Sequence, residues 1–205
     1  MKFDLKDYEL ILASNSARRK DFFKRMNIPF KSKKLKFDES YPKKLKGIEI
    51  VKHILKNKVK VAKNELKKNQ IIVVADTVVL CDGKSLGKPK DKKNAFEMIK
   101  SLSGKTHSVV TAVGFLFKKK FERIISSTKV TFKVLDEKEI KFYVEKYDPI
   151  DKAGGYGIQD WIGEIGVEKI TGSYTNVVGL PSAQVYQKIK NIVNKWSSGE
   201  KKVKC

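Results

Sequence analysis

The stretch Leu10-Ile-Leu-Ala-Ser-Asn-Ser-Ala-Arg-Arg-Lys-Asp-Phe-Phe-Lys-Arg-Met26 reads as a strand, a turn and a helix in immediate succession. Leu10 to Ala13 is apolar without a break, Ser14, Asn15 and Ser16 are turn formers, and Phe22, Phe23 and Met26 recur at helical spacing. Ser16 is placed to cap a helix beginning near Arg18. The start of a helix offers unpaired N–H groups and a positive dipole end. Arg18 and Arg19 add planar forks of donors suited to phosphate oxygens or to the edge of a base. Two serines, two guanidiniums and a helix terminus together describe an anion site.

Working outward, strand-like and helix-like segments alternate, which is the pattern of an α/β fold. An extended piece near Phe30 to Phe37 leads to Asp38-Glu-Ser-Tyr-Pro42, and a helix from Glu49 to Leu66 carries Val51, Ile54, Leu55, Ala62 and Leu66 on one stripe. Ile71 to Ala75 is a β-branched apolar run and reads as a central buried strand. Ala95, Phe96, Ile99 and Leu102 predict a third helix closed by Ser103-Gly104. Ser108 to Phe117 and Ile124 to Val134 predict an antiparallel hairpin about Lys118-Lys-Lys120, followed by a helix over Asp136 to Tyr147. A glycine-rich stretch, Ala153 to Gly157, precedes a last helix opened by Pro181 and burying Val185, Ile189, Ile192, Val193 and Trp196. No repeat or linker interrupts this order, so a single domain over 1–196 and a basic, flexible tail over 197–205 are expected.

Of 45 basic residues only Arg18, Arg19, Arg25 and Arg123 are arginine, which leaves 45 − 4 = 41 lysines. The net charge of +22 suggests nucleic acid, yet the lysines are spread through every segment, so no specific nucleic-acid partner is expected. Cys81 and Cys205 make neither a metal spacing nor a disulfide framework, which suits a reducing compartment. No apolar run approaches the length that spans a bilayer. Met1 to Tyr8 alternates charge and lacks the apolar core of a signal peptide. A cytoplasmic protein without membrane attachment is the expectation.

Asp76 ends the apolar run from Ile71 and should stand at the carboxyl edge of the sheet, where open α/β sheets bind ligands. That position equally suits an aspartate capping a turn. Lys58 falls on the apolar stripe of its helix, where it either snorkels or aims an ammonium into a cleft. Glu39, an acid in a very basic chain, is either an exposed turn residue or a partner of Asp76 in holding Mg²⁺, which takes one or two protein carboxylates. Lys88 lies between Gly87 and Pro89 after a turn at Asp82-Gly83. His107 reads as structural. Gln159, with donor and acceptor, can read a base edge, although the glycines before it fit neither a P-loop nor a dinucleotide fingerprint.

In this order the segments Leu12-Ala-Ser-Asn-Ser-Ala-Arg-Arg19, Ala75-Asp-Thr77, Gly87-Lys-Pro89, Leu102-Ser-Gly-Lys-Thr-His-Ser-Val-Val-Thr111, Lys152-Ala-Gly-Gly-Tyr-Gly-Ile-Gln159 and Gly172-Ser-Tyr-Thr-Asn-Val-Val-Gly-Leu-Pro181 resemble the Maf-like nucleoside triphosphate pyrophosphatases. The resemblance implies a Maf- and ITPase-like fold: an elongated, mixed, twisted sheet flanked by helices, with a central cleft between two lobes. It implies hydrolysis between the α and β phosphates, assisted by Mg²⁺ or Mn²⁺, by a homodimer. By the same resemblance Asp76 matches the catalytic acid near the metal, and Glu39 an acid beside it. Arg18, Thr77 and Gln159 match positions tied to substrate choice. Arg19, Lys58 and Lys88 match triphosphate contacts, and Ser14 and Lys152 complete the substrate-binding set. Arginine at 18 and Tyr156-Gly-Ile-Gln159 are features of the subgroup that prefers dTTP and UTP, whereas the 7-methyl-GTP subgroup differs at both places. Two departures stand out: Ala17 replaces the usual proline, and Asp160 the usual glycine. A non-catalytic nucleic-acid-binding or cell-division regulator is the alternative from another class.

Overall fold

In the computed structural model, which describes residues 3–199, the sheet has seven strands in the order β2-β1-β3-β5-β6-β7, with β4 paired to β3. The first unit is β1 (Glu9–Leu12) followed by α1 (Ala17–Arg25), and the Ser16 Oγ accepts the Arg19 N–H as the expected cap. β2 (Lys31–Ser32) is only a short parallel neighbour of β1. α2 (Ile48–Lys63) then leads into β3 (Gln70–Cys81), which runs parallel to β1. β4 (Lys84–Leu86) turns back on β3, and α3 (Lys92–Leu102) precedes the hairpin of β5 (Thr106–Phe117) and β6 (Lys120–Phe132). Lys118 and Lys119 both adopt positive φ at the hairpin tip, as a two-residue loop matched to strand twist requires. α4 (Glu137–Tyr147) is closed at its start by a capping box of Asp136 and Glu139.

After α4 the chain makes two short 3₁₀ turns, Pro149–Asp151 and Ala153–Gly155. Three further elements follow that periodicity does not predict: α5 (Trp161–Gly166), β7 (Val167–Thr171) and α6 (Tyr174–Val178). α7 (Ser182–Gly199) starts one residue after Pro181 and extends into the segment expected to be a flexible tail; residues 200–205 and the Trp196 side chain lie outside what is described. Among the described residues no helix is long and apolar enough to cross a membrane.

Alternation along the long strands builds three apolar cores. Ile71, Val73 and Ala75 of β3 and Val113, Phe115 and Phe117 of β5 pack under α1 and α7. On the opposite face Ile72, Val74 and Val78 meet Val51, Ile54, Leu55 and Val59 of α2. Further along, Val79 and Cys81 of β3 and Val109 of β5 join a separate core with α3, α4 and Tyr156. Between the first and third of these cores the shared face is hydroxylic. Thr77 lies opposite Thr111, and Thr111 opposite Ser126, with Thr128 next on β6. Asn176 of α6 is buried over this band, donating from Nδ2 to Thr128 Oγ1 and to Val109 O, each at 3.0 Å. The expected mixed α/β architecture, a mixed sheet flanked by helices, is the one observed.

Candidate active site

Asp76 does not end its strand. It sits in the middle of β3, opposite Ala112 of β5, five residues before the strand stops at Cys81. The opening lies on the other side of β3, where β1 ceases to pair at Val73. Ala13 N–H still donates to Val73 O at 2.9 Å, and the chain then leaves through Ser14 to Ser16 into α1. Two residues on, Ala75 O has no strand partner on that edge and takes two cations instead, Arg19 Nη1 at 3.0 Å and Lys58 Nζ at 3.3 Å. A buried carbonyl must find a donor, and here the early exit of β1 makes the donors side chains. The expectation that Asp76 lies at a carboxyl edge is thus corrected: the notch is lateral.

Lys58 fills the notch from α2. Its Nζ lies 2.7 Å from Asp76 Oδ1 and 2.8 Å from Glu39 Oε1, and the residue is 5% exposed. With Ala75 O these three acceptors match the three protons of an ammonium. Snorkelling is excluded by that burial. Glu39 is no isolated turn acid, since Lys88 Nζ stands 3.5 Å from its Oε2. Burial alone would raise the Glu39 carboxyl, but the charge and hydrogen bond of Lys58, with Lys88 behind them, hold it below its usual value. The second oxygen of Asp76 takes no hydrogen bond from the described residues, and it belongs to the cleft wall.

The two arginines diverge. Arg19 turns inward and spends one N–H from each nitrogen on Gly179 O (2.9 Å), Ala75 O (3.0 Å) and Thr77 Oγ1 (3.0 Å). Burial pushes its pKa down and the facing charge of Asp76 pushes it back up. Thr77 Oγ1 in turn shares a hydrogen bond with Thr111 Oγ1 at 2.9 Å. Arg18 instead reaches across the cleft to Asp151, with Nη1 2.6 Å from Oδ2 and Nη2 3.2 Å from the backbone O. Lys152 Nζ stands 3.0 Å from Asp151 and 3.7 Å from Asp160.

One cleft of about 370 Å³ is lined by all of the candidates: Ser14, Arg18, Arg19, Glu39, Lys58, Asp76, Thr77, Lys88, Lys152 and Gln159. Ser14 is buried at its floor, its Oγ accepting the Ser16 N–H at 3.3 Å. Gln159 is exposed at its rim. Sequence reasoning passes over Asp151, which pairs with two of the cleft's cations; an acid beside Lys152 in so basic a chain is the signal that could have found it. Five cations (Arg18, Arg19, Lys58, Lys88, Lys152) face three carboxylates (Glu39, Asp76, Asp151). His107 is structural as expected, bonded to Tyr156 Oη at 2.7 Å, with its pKa lowered to about 4 by burial.

Among the described residues no three or more His, Cys, Asp or Glu gather in a way that could hold a metal ion. Of the three carboxylates in the cleft, Asp76 and Glu39 are the two brought to one point, both on Lys58 Nζ. That is a fitting set for Mg²⁺ or Mn²⁺ only when phosphate oxygens and water complete it.

The family model described as Maf-like protein matches residues 9–192. A Flavobacterium johnsoniae protein called dTTP/UTP pyrophosphatase is 46% identical over 94% of this chain and 100% of its own length. Another of that name from Christiangramia forsetii is 49% identical over 93% and 97%, and one from Bacteroides thetaiotaomicron 42% over 92% and 98%. Among solved structures, the Staphylococcus aureus Ham1 protein aligns with 60% of this chain and 71% of its own at 12% identity and a TM-score of 0.45. With a family match across nearly the whole chain, and relatives this similar over their full length, the chain belongs to the Maf family.

Proposed function

We propose that this protein hydrolyses nucleoside triphosphates between the α and β phosphates, releasing a nucleoside monophosphate and pyrophosphate, with dTTP and UTP as preferred substrates. The observation that carries the reading is the buried Lys58 ammonium held between Asp76 and Glu39 in a cleft richer in cations than in carboxylates. The names of the relatives, dTTP/UTP pyrophosphatase, support the same reaction and the same bases.

Phosphoryl transfer asks for charge neutralisation and positioning more than for covalent chemistry. In this reading Arg18 and Lys88, whose partners here are exposed or half-exposed carboxylates, and Lys152, which leaves exposed Asp151 while Asp160 stays near it, turn to phosphate oxygens. Arg19 retains its backbone contacts and offers the triphosphate its remaining N–H groups, with Ser14 and the start of α1 beside it. Asp76 uses its unengaged oxygen to orient and deprotonate the attacking water, while Lys58 holds that carboxylate in place through its Oδ1. Asp76 and Glu39 are also the residues that would hold Mg²⁺ or Mn²⁺, which supplies further neutralisation of the triphosphate. Thr77, Arg18 and Gln159 choose the nucleotide. The reading extends to a cytoplasmic homodimer, whose subunit number sedimentation would give.

The test is pyrophosphate release from dTTP, UTP and 7-methyl-GTP with and without Mg²⁺. Release from the pyrimidine nucleotides is the expected result, release from 7-methyl-GTP alone would redirect the specificity, and no release from any would remove the activity.

A further inference from the structure

Strand register sets Thr77 of β3 directly opposite Thr111 of β5, and their hydroxyl oxygens lie 2.9 Å apart. Thr77 is half-buried on the cleft wall, whereas Thr111 is fully buried behind it. The distance alone allows either threonine to be the donor, but their neighbours decide it. Thr111 Oγ1 also lies 3.1 Å from the backbone O of Asn176, and a carbonyl has no proton to give. Thr111 therefore spends its single proton on Asn176 O, and the proton between the two threonines comes from Thr77. Thr77 Oγ1 in addition accepts from Arg19 Nη2 at 3.0 Å. A hydroxyl has one proton and two lone pairs, so a single lone pair is all that Thr77 retains for the cleft.

We infer that Thr111 is a positioning residue: by taking the Thr77 proton it makes Thr77 a pure acceptor toward the ligand. A triphosphate chain offers oxygen acceptors, and a lone pair set against them repels. The partner of Thr77 is thus an N–H or O–H of the nucleoside, from sugar or base, and not the phosphate chain. This rests on the proposed reading that the cleft takes a nucleotide. Without the Thr111 hydroxyl the Thr77 proton turns to the cleft. A ligand donor is then accepted only by turning that proton back onto an apolar neighbour, which forfeits one hydrogen bond, or about tenfold in affinity. The change leaves no buried carbonyl orphaned, since Asn176 O also accepts the Gly179 N–H at 3.0 Å.

The experiment compares the wild type with Thr111→Val, Thr111→Ala and Thr111→Ser by calorimetry in Mg²⁺. The ligands are α,β-methylene-UTP, which the enzyme does not cleave, its 2′,3′-dideoxy counterpart, and inorganic tripolyphosphate. Valine and alanine should each weaken α,β-methylene-UTP about tenfold and leave tripolyphosphate unchanged, while serine restores normal binding. In UTP turnover the same loss should appear in KM and not in kcat. A loss that vanishes with the dideoxy analogue puts the donor on the sugar, and one that persists puts it on the base. Unchanged nucleotide binding in the hydroxyl-free variants overturns the inference. So does an equal loss on tripolyphosphate, which a merely structural role would produce, or a serine variant that fails to restore binding. Unfolding of both hydroxyl-free variants overturns it as well, because the hydroxyl would then serve the core. The expected binding pattern without pyrophosphate release from any triphosphate would leave the inference standing and remove the proposed reaction.

Discussion

Lys58 Nζ and Asp76 Oδ1 lie 2.7 Å apart with side chains 6% and 11% exposed, a salt bridge inside the sheet–helix interface rather than on its surface. Removing one member of such a pair strands the other charge in a poorly solvated site, at a cost of about 3–5 kcal/mol. Lys58→Met should therefore lower the unfolding midpoint markedly. The double variant Lys58→Met with Asp76→Asn should regain part of the loss, and a denaturant double-mutant cycle reads the coupling directly.

Asp76→Asn keeps the size of the side chain and removes the carboxylate proposed as the base. Pyrophosphate release from dTTP is expected to fall by about 10²–10⁴-fold, with binding of the uncleavable UTP analogue largely preserved. A variant with more than a tenth of normal kcat would take Asp76 out of the proton-accepting role.

Arg19 and Arg18 should separate in opposite ways. Arg19→Lys forfeits the fork that serves Gly179, Ala75 and Thr77 and should destabilise the fold by roughly 2 kcal/mol. Arg18→Lys touches a pair whose acid is 62% exposed and should cost under about 1 kcal/mol. Its effect should appear instead in KM and in the preference among nucleotides. Urea unfolding of the two variants beside their kinetics decides between these patterns.

His107 makes stability depend on acid. Its folded pKa of about 4 lies below the ordinary 6.5, so between those values the unfolded chain binds the proton and the folded one does not. Stability then rises with pH across that window and is fully present above 6.5. The loss on going from pH 6.5 to 4 should reach up to about 3 kcal/mol. Glu39, held below its usual value, adds a loss of the same sign beginning below pH 4.5. His107→Phe should flatten the upper window in denaturant melts at stepped pH, while leaving the Glu39 contribution in place.

Local chemistry was readable from the chain: Ser16 as a cap, the Lys118-Lys119 hairpin, and the α2 stripe with Lys58 on it all follow from neighbours in sequence. The course of β3 was not, because an acid after five apolar residues normally ends a strand. Asp76 is tolerated mid-strand by an ammonium delivered from α2, 18 residues away in sequence. Similarly, Arg19 reads as a free phosphate ligand until Gly179, 160 residues later, takes its Nε–H. α5, with six residues and two glycines, and the exposed edge strand β7 carry too little apolar periodicity to announce themselves. The candidate residues line one cleft; its internal pairing, above all Asp151 with Arg18 and Lys152, depends on contacts that no local pattern encodes.

β3, β5 and β6 pass without a break from the apolar core under α1 and α7 to the one beneath α3 and α4. The walls of the cleft are thus regions of a single elastic plate, with no linker about which they could swing like jaws. A nucleotide arriving there meets a gap of nearly fixed width. In the proposed reading its grip tightens as Arg18, Lys88 and Lys152 exchange carboxylate partners for phosphate oxygens, so selectivity rests on side chains changing partners and not on domain closure.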